Sequence, residues 1–178
     1  MIDLVLTLIG PDRPGIVDSV SEAVAAHGGN WLDSRMAHLA GKFAGVLCVE
    51  VDEAHVDALE EALTRLEVNG LRIVVERSDA IETPHQRVMH IELLGLDRPG
   101  LVHEISSLLA AQRVNVEELS TDRTTAAHSG DRMFRADLRV LLPVGVEPSD
   151  SRDGLERLAA DLMVEITLGD TTEAIATR

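Results

Sequence analysis

The residues in this chain with the clearest chemical potential belong to a short stretch that occurs twice. Residues 12–17 read Asp-Arg-Pro-Gly-Ile-Val and residues 97–102 read Asp-Arg-Pro-Gly-Leu-Val, at a constant offset of 85 positions (97 − 12). The ungapped likeness extends over residues 10–31 and 95–116. Because self-similarity of this length indicates duplication, the chain reads as two copies of one module.

The repeated stretch carries groups that suit a small zwitterion. Its glycines let the backbone approach a ligand closely, and the following helix N-terminus directs N–H groups toward an anion. The aspartates can accept a hydrogen bond from an ammonium group, and a downstream asparagine offers both a donor and an acceptor. We therefore predict a site for a small amino acid, with these candidate residues: Gly10, Pro11, Asp12, Arg13, Pro14, Gly15 and Asn30 in the first copy, and Gly95, Leu96, Asp97, Arg98, Pro99, Gly100 and Asn115 in the second.

Several of these residues also suit purely structural roles. Pro14 fits the first turn of a helix, and Asp12 fits its N-cap or first turn. Arg13 and Arg98 are expected to pair with surface carboxylates rather than with a ligand. The two asparagines can equally well lead the chain out of a helix.

The glycines that follow proline distinguish the two interpretations. If Gly15 and Gly100 only begin a helix, alanine should be tolerated or slightly stabilising. If they line the approach path of a ligand, alanine should keep the fold and weaken binding. We expect the larger loss at Gly15, because Arg113 and Val114 replace the glycine pair of the first copy.

Hydrophobic periodicity predicts the elements that position these loops. In the first copy it predicts strands at 2–9, 31–39, 43–51 and 71–75, a helix from residue 16 to the glycines at 28 and 29, and a second helix marked by Val56, Leu59, Leu63 and Leu66. The second copy repeats this order, with strands at 87–94, from 115, 138–142 and 164–168, a loop at 143–153, and helices marked by Leu101, Val102, Ile105, Leu108 and Leu109 and by Leu155, Leu158 and Leu162. Its hairpin is about six residues longer if Phe43 aligns with Phe134.

The β-α-β-β-α-β order predicts the ferredoxin-like fold, an α+β class in which an antiparallel sheet carries both helices on one face. We predict two such modules at 1–78 and 86–169, packed together, with a linker at 79–85 and a polar tail at 170–178.

Composition argues against nucleic acid and membrane partners. The net charge is −15, from 31 acidic and 16 basic residues, and Lys42 is the only lysine. A phosphate backbone would be repelled, and the three aromatic residues offer little base stacking. No apolar run suits a membrane span, and the start of the chain lacks the pattern of a signal peptide. The single cysteine, Cys48, excludes an internal disulfide and is interpreted as a small core residue, so we expect a cytoplasmic protein.

Catalytic and metal-binding motifs are also missing from the sequence. The seven histidines never fall at metal-ligand spacing, and His103-Glu104 lacks the second histidine of a zinc-protease motif. No nucleophile elbow, phosphate loop or dinucleotide fingerprint occurs. Trp31 and Phe134 are assigned to the core or an interface. We therefore predict a protein that is not an enzyme and uses no cofactor or metal.

The repeated loop, the helix after it and the following asparagine resemble an ACT domain, the amino-acid-sensing regulatory module. The tandem arrangement, over nearly the whole chain, resembles the glycine cleavage system transcriptional repressor family. The first copy is also similar to the regulatory domain at the front of formyltetrahydrofolate deformylase. In such proteins the ligand lies between modules, against this loop and the start of the second strand.

The resemblance implies a non-catalytic regulator that binds a small amino acid, with glycine or serine as candidates. It implies a protein partner, such as a transcription regulator or a metabolic enzyme of glycine cleavage or one-carbon metabolism, and leaves a homo-oligomer open. A ligand-free module that docks through its exposed sheet face is the alternative. The copies differ at Pro11/Leu96 and Asp18/His103, which raises the question of whether both sites still bind.

Overall fold

The computed structural model describes residues 1–67, 70–78, 87–126, 130–143, 156, 164–169 and 172–173. The chain divides into two compact units, residues 1–81 and 82–178. The predicted linker at 79–85 lies outside the described residues, so the finer boundaries stay a prediction.

The first unit has the predicted β-α-β-β-α-β order. A four-stranded antiparallel sheet, with strand order β2-β3-β1-β4, carries its core on the face toward the helices. Alternation along β1 buries Leu4, Leu6 and Leu8, which pack in one cluster with residues of both helices. A 3-10 turn at Glu53–His55 precedes the second helix. The elements are β1 (Ile2–Pro11), α1 (Ile16–Ala26), β2 (Asn30–Leu39), β3 (Lys42–Val51), α2 (Val56–Leu66) and β4 (Arg72–Arg77).

The second unit repeats the sheet in the order β6-β7-β5-β8. Gly10 pairs with Phe43 and Gly95 with Phe134, so the two phenylalanines are equivalent and the longer second hairpin is confirmed. The predicted helix at Leu155, Leu158 and Leu162 lies outside the described residues. The elements are β5 (Arg87–Leu96), α3 (Leu101–Ala111), β6 (Asn115–Thr125), β7 (Arg132–Leu142), β8 (Val164–Leu168) and β9 (Thr172–Glu173).

The C-terminal tail differs from its prediction in one respect. Residues 172–173, expected to be an unstructured polar tail, form β9 and pair with Arg87 and Val88 of β5. The added strand supplies hydrogen-bond partners to the part of β5 that β8 does not cover.

The first helix of each unit, α1 and α3, ends in the same backbone motif. In α1 the N–H of Gly29 bonds to the carbonyl of Val24 at 2.9 Å, and that of Gly28 to Ala25 at 3.0 Å. Gly28 has a φ of 69°, so the predicted glycine cap is confirmed. In α3 the equivalent position is Arg113, which adopts the same left-handed region at a φ of 57°.

The sheets of the two units differ on the face that points away from the described helices. In the first unit Ile9, Val46 and Val74 are 46%, 41% and 54% exposed there. In the second unit the equivalent face carries charges, and Arg135 contacts Asp137 at 3.2 Å and Glu92 at 3.9 Å. Leu94, which corresponds to Ile9, is 40% exposed there. The first face therefore exposes more aliphatic side chains, and the second combines one with ion pairs.

Candidate functional site

The two predicted loops begin their helices with the same unusual backbone conformation. Gly15 and Gly100 are the N-cap residues of α1 and α3, with φ of 87° and 94°. No side chain caps either helix. The predicted N-cap role of Asp12 and the first-turn role of Pro14 are therefore wrong, because both residues precede the glycine cap.

This geometry favours an anion at each loop. The first-turn N–H groups of a helix have no partner within the helix, and here no side-chain oxygen takes that place. It also counts against the expectation, made for glycines that only begin a helix, that alanine would be tolerated. A left-handed φ strains any residue with a Cβ, although an added Cβ at Gly15 would meet no atom within 4 Å.

Gly10 has a packing reason for being glycine. A Cβ there would lie 3.0 Å from the carbonyl oxygen of Gly70 and 3.1 Å from the Cα of Leu71. These are backbone atoms that cannot move aside easily. The small residue is thus explained by the close approach of the segment before β4, without reference to a ligand.

In the second loop, both charged residues have internal partners. Arg98 forms a two-pronged ion pair with Glu104 of α3, each N–O distance being 2.7 Å. The carboxylate of Asp97 lies 3.2 Å from the Nε of Arg123 in an ion pair; the Asp97 side chain is only 14% exposed, whereas that of Arg123 is 76% exposed. The predicted surface pairing is confirmed for Arg98. The pKa of Glu104 is lowered and that of Arg98 raised, chiefly by their mutual hydrogen bonds.

A cleft of about 510 Å³ opens beside this loop. Its wall includes residues 97–103 and, from β6 and β7, Thr121, Asp122, Arg123 and Phe134. Phe134 also belongs to the core, as predicted, and is 9% exposed. The second loop therefore borders a depression lined by the loop, the start of α3 and two strands.

In the first loop, the same charged residues are largely unpaired. Asp12 lies 3.7 Å from the Nε2 of His38. Half-buried Arg13 has no hydrogen bond or ion pair within the part of the chain that the structure describes, so its predicted surface pairing is not found there. Ser19 stands where the second module has Glu104, and its hydroxyl donates to the carbonyl of Gly15 at 2.8 Å.

The two loops differ in charge environment because of two pairs of equivalent residues. None of these four residues was among the predicted site residues. Ser19 and Glu104 differ by the repeat offset of 85, and so do His38 and Arg123. His38 pairs with Phe43 and Arg123 with Phe134, which confirms that they occupy the same register position. The offset could have identified them, but their proximity to the aspartates depends on the fold.

The structure does not bring the asparagines to the loops of their own modules. Asn30 is opposite Glu50 in β3, and Glu50 is opposite Asp3 in β1. Asn115 is likewise opposite Leu141, which is opposite Val88. Each asparagine thus lies level with the start of the first strand, seven residues and on the order of 20 Å from the glycine that begins the loop. Within one module, a small amino acid cannot contact both.

Cys48 is half-buried in β3, more exposed than the predicted core position, and burial raises the pKa of its thiol. Among the described residues, no group of three or more His, Cys, Asp and Glu could hold a metal ion. In the described part of the chain, no helix is long and apolar enough to cross a membrane.

Comparisons with known proteins agree with this architecture. The ACT domain family model matches residues 3–76. The glycine cleavage system transcriptional repressor of Escherichia coli is 24% identical, over 89% of this chain and 85% of the relative.

Two solved structures share the fold over nearly their whole length. A protein of unknown function from Galdieria sulphuraria has a TM-score of 0.78 and 29% identity, covering 98% of this chain and 99% of that one. A candidate glycine cleavage system transcriptional repressor has a TM-score of 0.72 and 21% identity, covering 97% and 98%. Residues 3–76 thus belong to the ACT domain family, and the chain as a whole is related to the glycine cleavage system transcriptional repressors.

Proposed function

We propose that this chain is a non-catalytic regulator that binds a small amino acid at the loop between β1 and α1. Glycine and serine are the first candidates, because the repressor of Escherichia coli is named for glycine cleavage. The signal passes to a protein partner, such as a transcription regulator or a metabolic enzyme, in the cytoplasm.

The observation that carries the proposal is the uncapped helix start in the first module, beside Arg13, which has no partner among the described residues, and Asp12, whose one ionic contact is His38 at 3.7 Å. The left-handed Gly15 opens α1 without a side-chain cap, so backbone N–H groups remain for a carboxylate. Arg13 supplies a guanidinium in the same loop, and Asp12 supplies a carboxylate for the ammonium group. A small amino acid carries both complementary charges a few ångströms apart.

A regulator of this kind needs two states with different ligand affinities. A ligand can shift an equilibrium only by the difference between its binding free energies in the two states. The loop lies between a strand and a helix, so occupancy can change how this end of the module meets a partner. No catalytic group is required for that role.

The direct test is a thermal-shift screen against the twenty proteinogenic amino acids at millimolar concentration. A ligand that binds only the native state stabilises it by about 2.7 kcal/mol at a hundredfold excess over Kd. We expect glycine, serine or a similarly small amino acid to raise the melting temperature, and Arg13→Gln to abolish the rise. Arg35→Gln is the matched control, because Arg35 pairs with Asp33 on β2. The absence of a shift with every amino acid would count against the proposal.

The apolar sheet face of the first module supports a second candidate. Ile9, Val46 and Val74 are large hydrophobic residues left exposed on one face, which suits a protein-docking surface. A ligand-free interaction module would show no amino acid response, but Val46→Asp would disrupt its complex. The thermal-shift screen therefore separates the two functions.

A further inference from the structure

The second loop differs from the first in that its two ionic groups are already occupied by the protein. Arg98 holds the carboxylate of Glu104 through two hydrogen bonds of 2.7 Å. Asp97 holds the guanidinium of Arg123 at 3.2 Å. A carboxylate on the arginine and a cation on the aspartate are the same two contacts that an amino acid would make.

The first loop lacks both of these internal partners. Ser19 replaces Glu104, and its hydroxyl is engaged by the backbone of Gly15. His38 replaces Arg123 and lies 3.7 Å from Asp12, a longer contact that is ionic only when the imidazole is protonated. Arg13 makes no polar contact with the rest of the described residues.

The difference does not arise from the backbone. Both loops begin their helices with a left-handed glycine. The N–H of Asp12 donates to the carbonyl of Gly41, just before β3, and that of Asp97 donates to the carbonyl of Arg132, at the start of β7. The second loop also has a cleft of about 510 Å³ beside it. Space and backbone donors are therefore present at the second loop, and its hairpin is longer. The difference that bears on a charged ligand is in the partners of the aspartate and the arginine.

We propose that Glu104 and Arg123 act as an internal substitute for the ligand, which closes the second loop and leaves one amino acid site per chain, in the first module. This inference rests on the proposed amino-acid-binding function. A free ligand must displace a pair of charge-assisted hydrogen bonds at Arg98, whereas it meets no such competitor at Arg13.

Reciprocal exchange of the four residues tests the proposal. The opened variant carries Glu104→Ser and Arg123→His, which gives the second loop the residues of the first. The closed variant carries Ser19→Glu and His38→Arg, which gives the first loop the residues of the second. The amino acid with the largest thermal shift is titrated into each full-length protein by calorimetry, and unliganded melting curves confirm that each variant folds.

We expect one equivalent for the wild type, two for the opened variant, and at least a tenfold loss of affinity at the first site in the closed variant. Two equivalents in the wild type, or unchanged binding in both variants, would overturn this inference and leave amino acid sensing intact. Failure of every variant to bind any of the twenty amino acids would overturn the proposed function together with it.

Single exchanges provide a check if a double variant does not fold. Glu104→Ser alone should release Arg98, and Ser19→Glu alone should engage Arg13, since the glutamate would occupy the same position of the first helical turn. An opposite effect on ligand stoichiometry or affinity from these two exchanges supports the proposal. The same effect from both, or no effect from either, contradicts it.

Discussion

The loops at residues 10–15 and 95–100 share a backbone but not an electrostatic environment. Gly15 and Gly100 differ in φ by only a few degrees, at 87° and 94°. Arg98, however, is held by a glutamate and Arg13 by no described residue. Duplication has thus preserved the chain path while the partners of the charged side chains diverged.

The difference teaches which part of a motif is physically constrained. A left-handed φ excludes most side chains by sterics, so exchange of the glycine alters the start of the helix. An exposed ion pair contributes little to stability, so its partners can change without loss of the fold. A repeated motif therefore predicts repeated geometry more securely than repeated binding.

The largest expected effect tests the shared backbone. Gly15→Ala and Gly100→Ala should each destabilise their own module by about 1 kcal/mol, because the left-handed conformation is strained for alanine and the lower entropy of the unfolded chain offsets only part of this strain. Chemical denaturation monitored by circular dichroism measures both changes. Unequal losses, or stabilisation of either variant, would mean that the two helix starts are not equivalent.

A smaller effect is expected where the helix ends differ. Arg113→Gly should stabilise the second module by about 0.5 kcal/mol, since it relieves the strain of a φ of 57°, although the higher entropy of glycine in the unfolded chain offsets part of this gain. Gly28→Ala at the equivalent position of the first module is the matched variant and should destabilise. The urea midpoints of the two variants show whether each substitution stabilises or destabilises the protein. A loss of stability in Arg113→Gly would show that the arginine side chain has a compensating contact.

The smallest effect concerns the ion pair that distinguishes the loops. Arg98 lowers the pKa of Glu104 in the folded state, so the pair contributes stability above the unfolded-state pKa and loses it as pH falls through the folded-state pKa. An NMR titration of the Glu104 side-chain carboxyl carbon should therefore show a lowered midpoint. In Arg98→Gln the midpoint should move upward toward the ordinary glutamate value. An unchanged midpoint would mean that the pair does not form in solution.

Most of the fold was predictable because the relevant signals are local. Alternating apolar residues marked strands such as β1, and Gly28 marked the end of α1. The errors lie where the signal was not local. Asp12 and Pro14 looked like helix-start residues, but the left-handed Gly15 begins the helix later, and β9 was missed because two paired residues carry no periodicity.

The candidate site was predictable only in part. The repeated sequence identified both loops, and the resemblance added the expected ligand class. It also grouped Asn30 with the first loop, although the strand register places Asn30 at the opposite end of its module. Spacing along the chain could not reveal this, because α1 carries the chain back along the length of β1 before β2 begins.

The sequence by itself determined the duplication, the order of the elements and the glycine-based loops, because these depend on side-chain pattern and on the steric freedom of single residues. Only the tertiary structure decided which charges meet. Asp97 and Arg123 are 26 positions apart (123 − 97) and come within 3.2 Å because the register of β6 and β7 places Arg123 beside the loop. Hydrogen bonds and ion pairs act over a few ångströms, so their partners are fixed by packing and register rather than by distance along the chain.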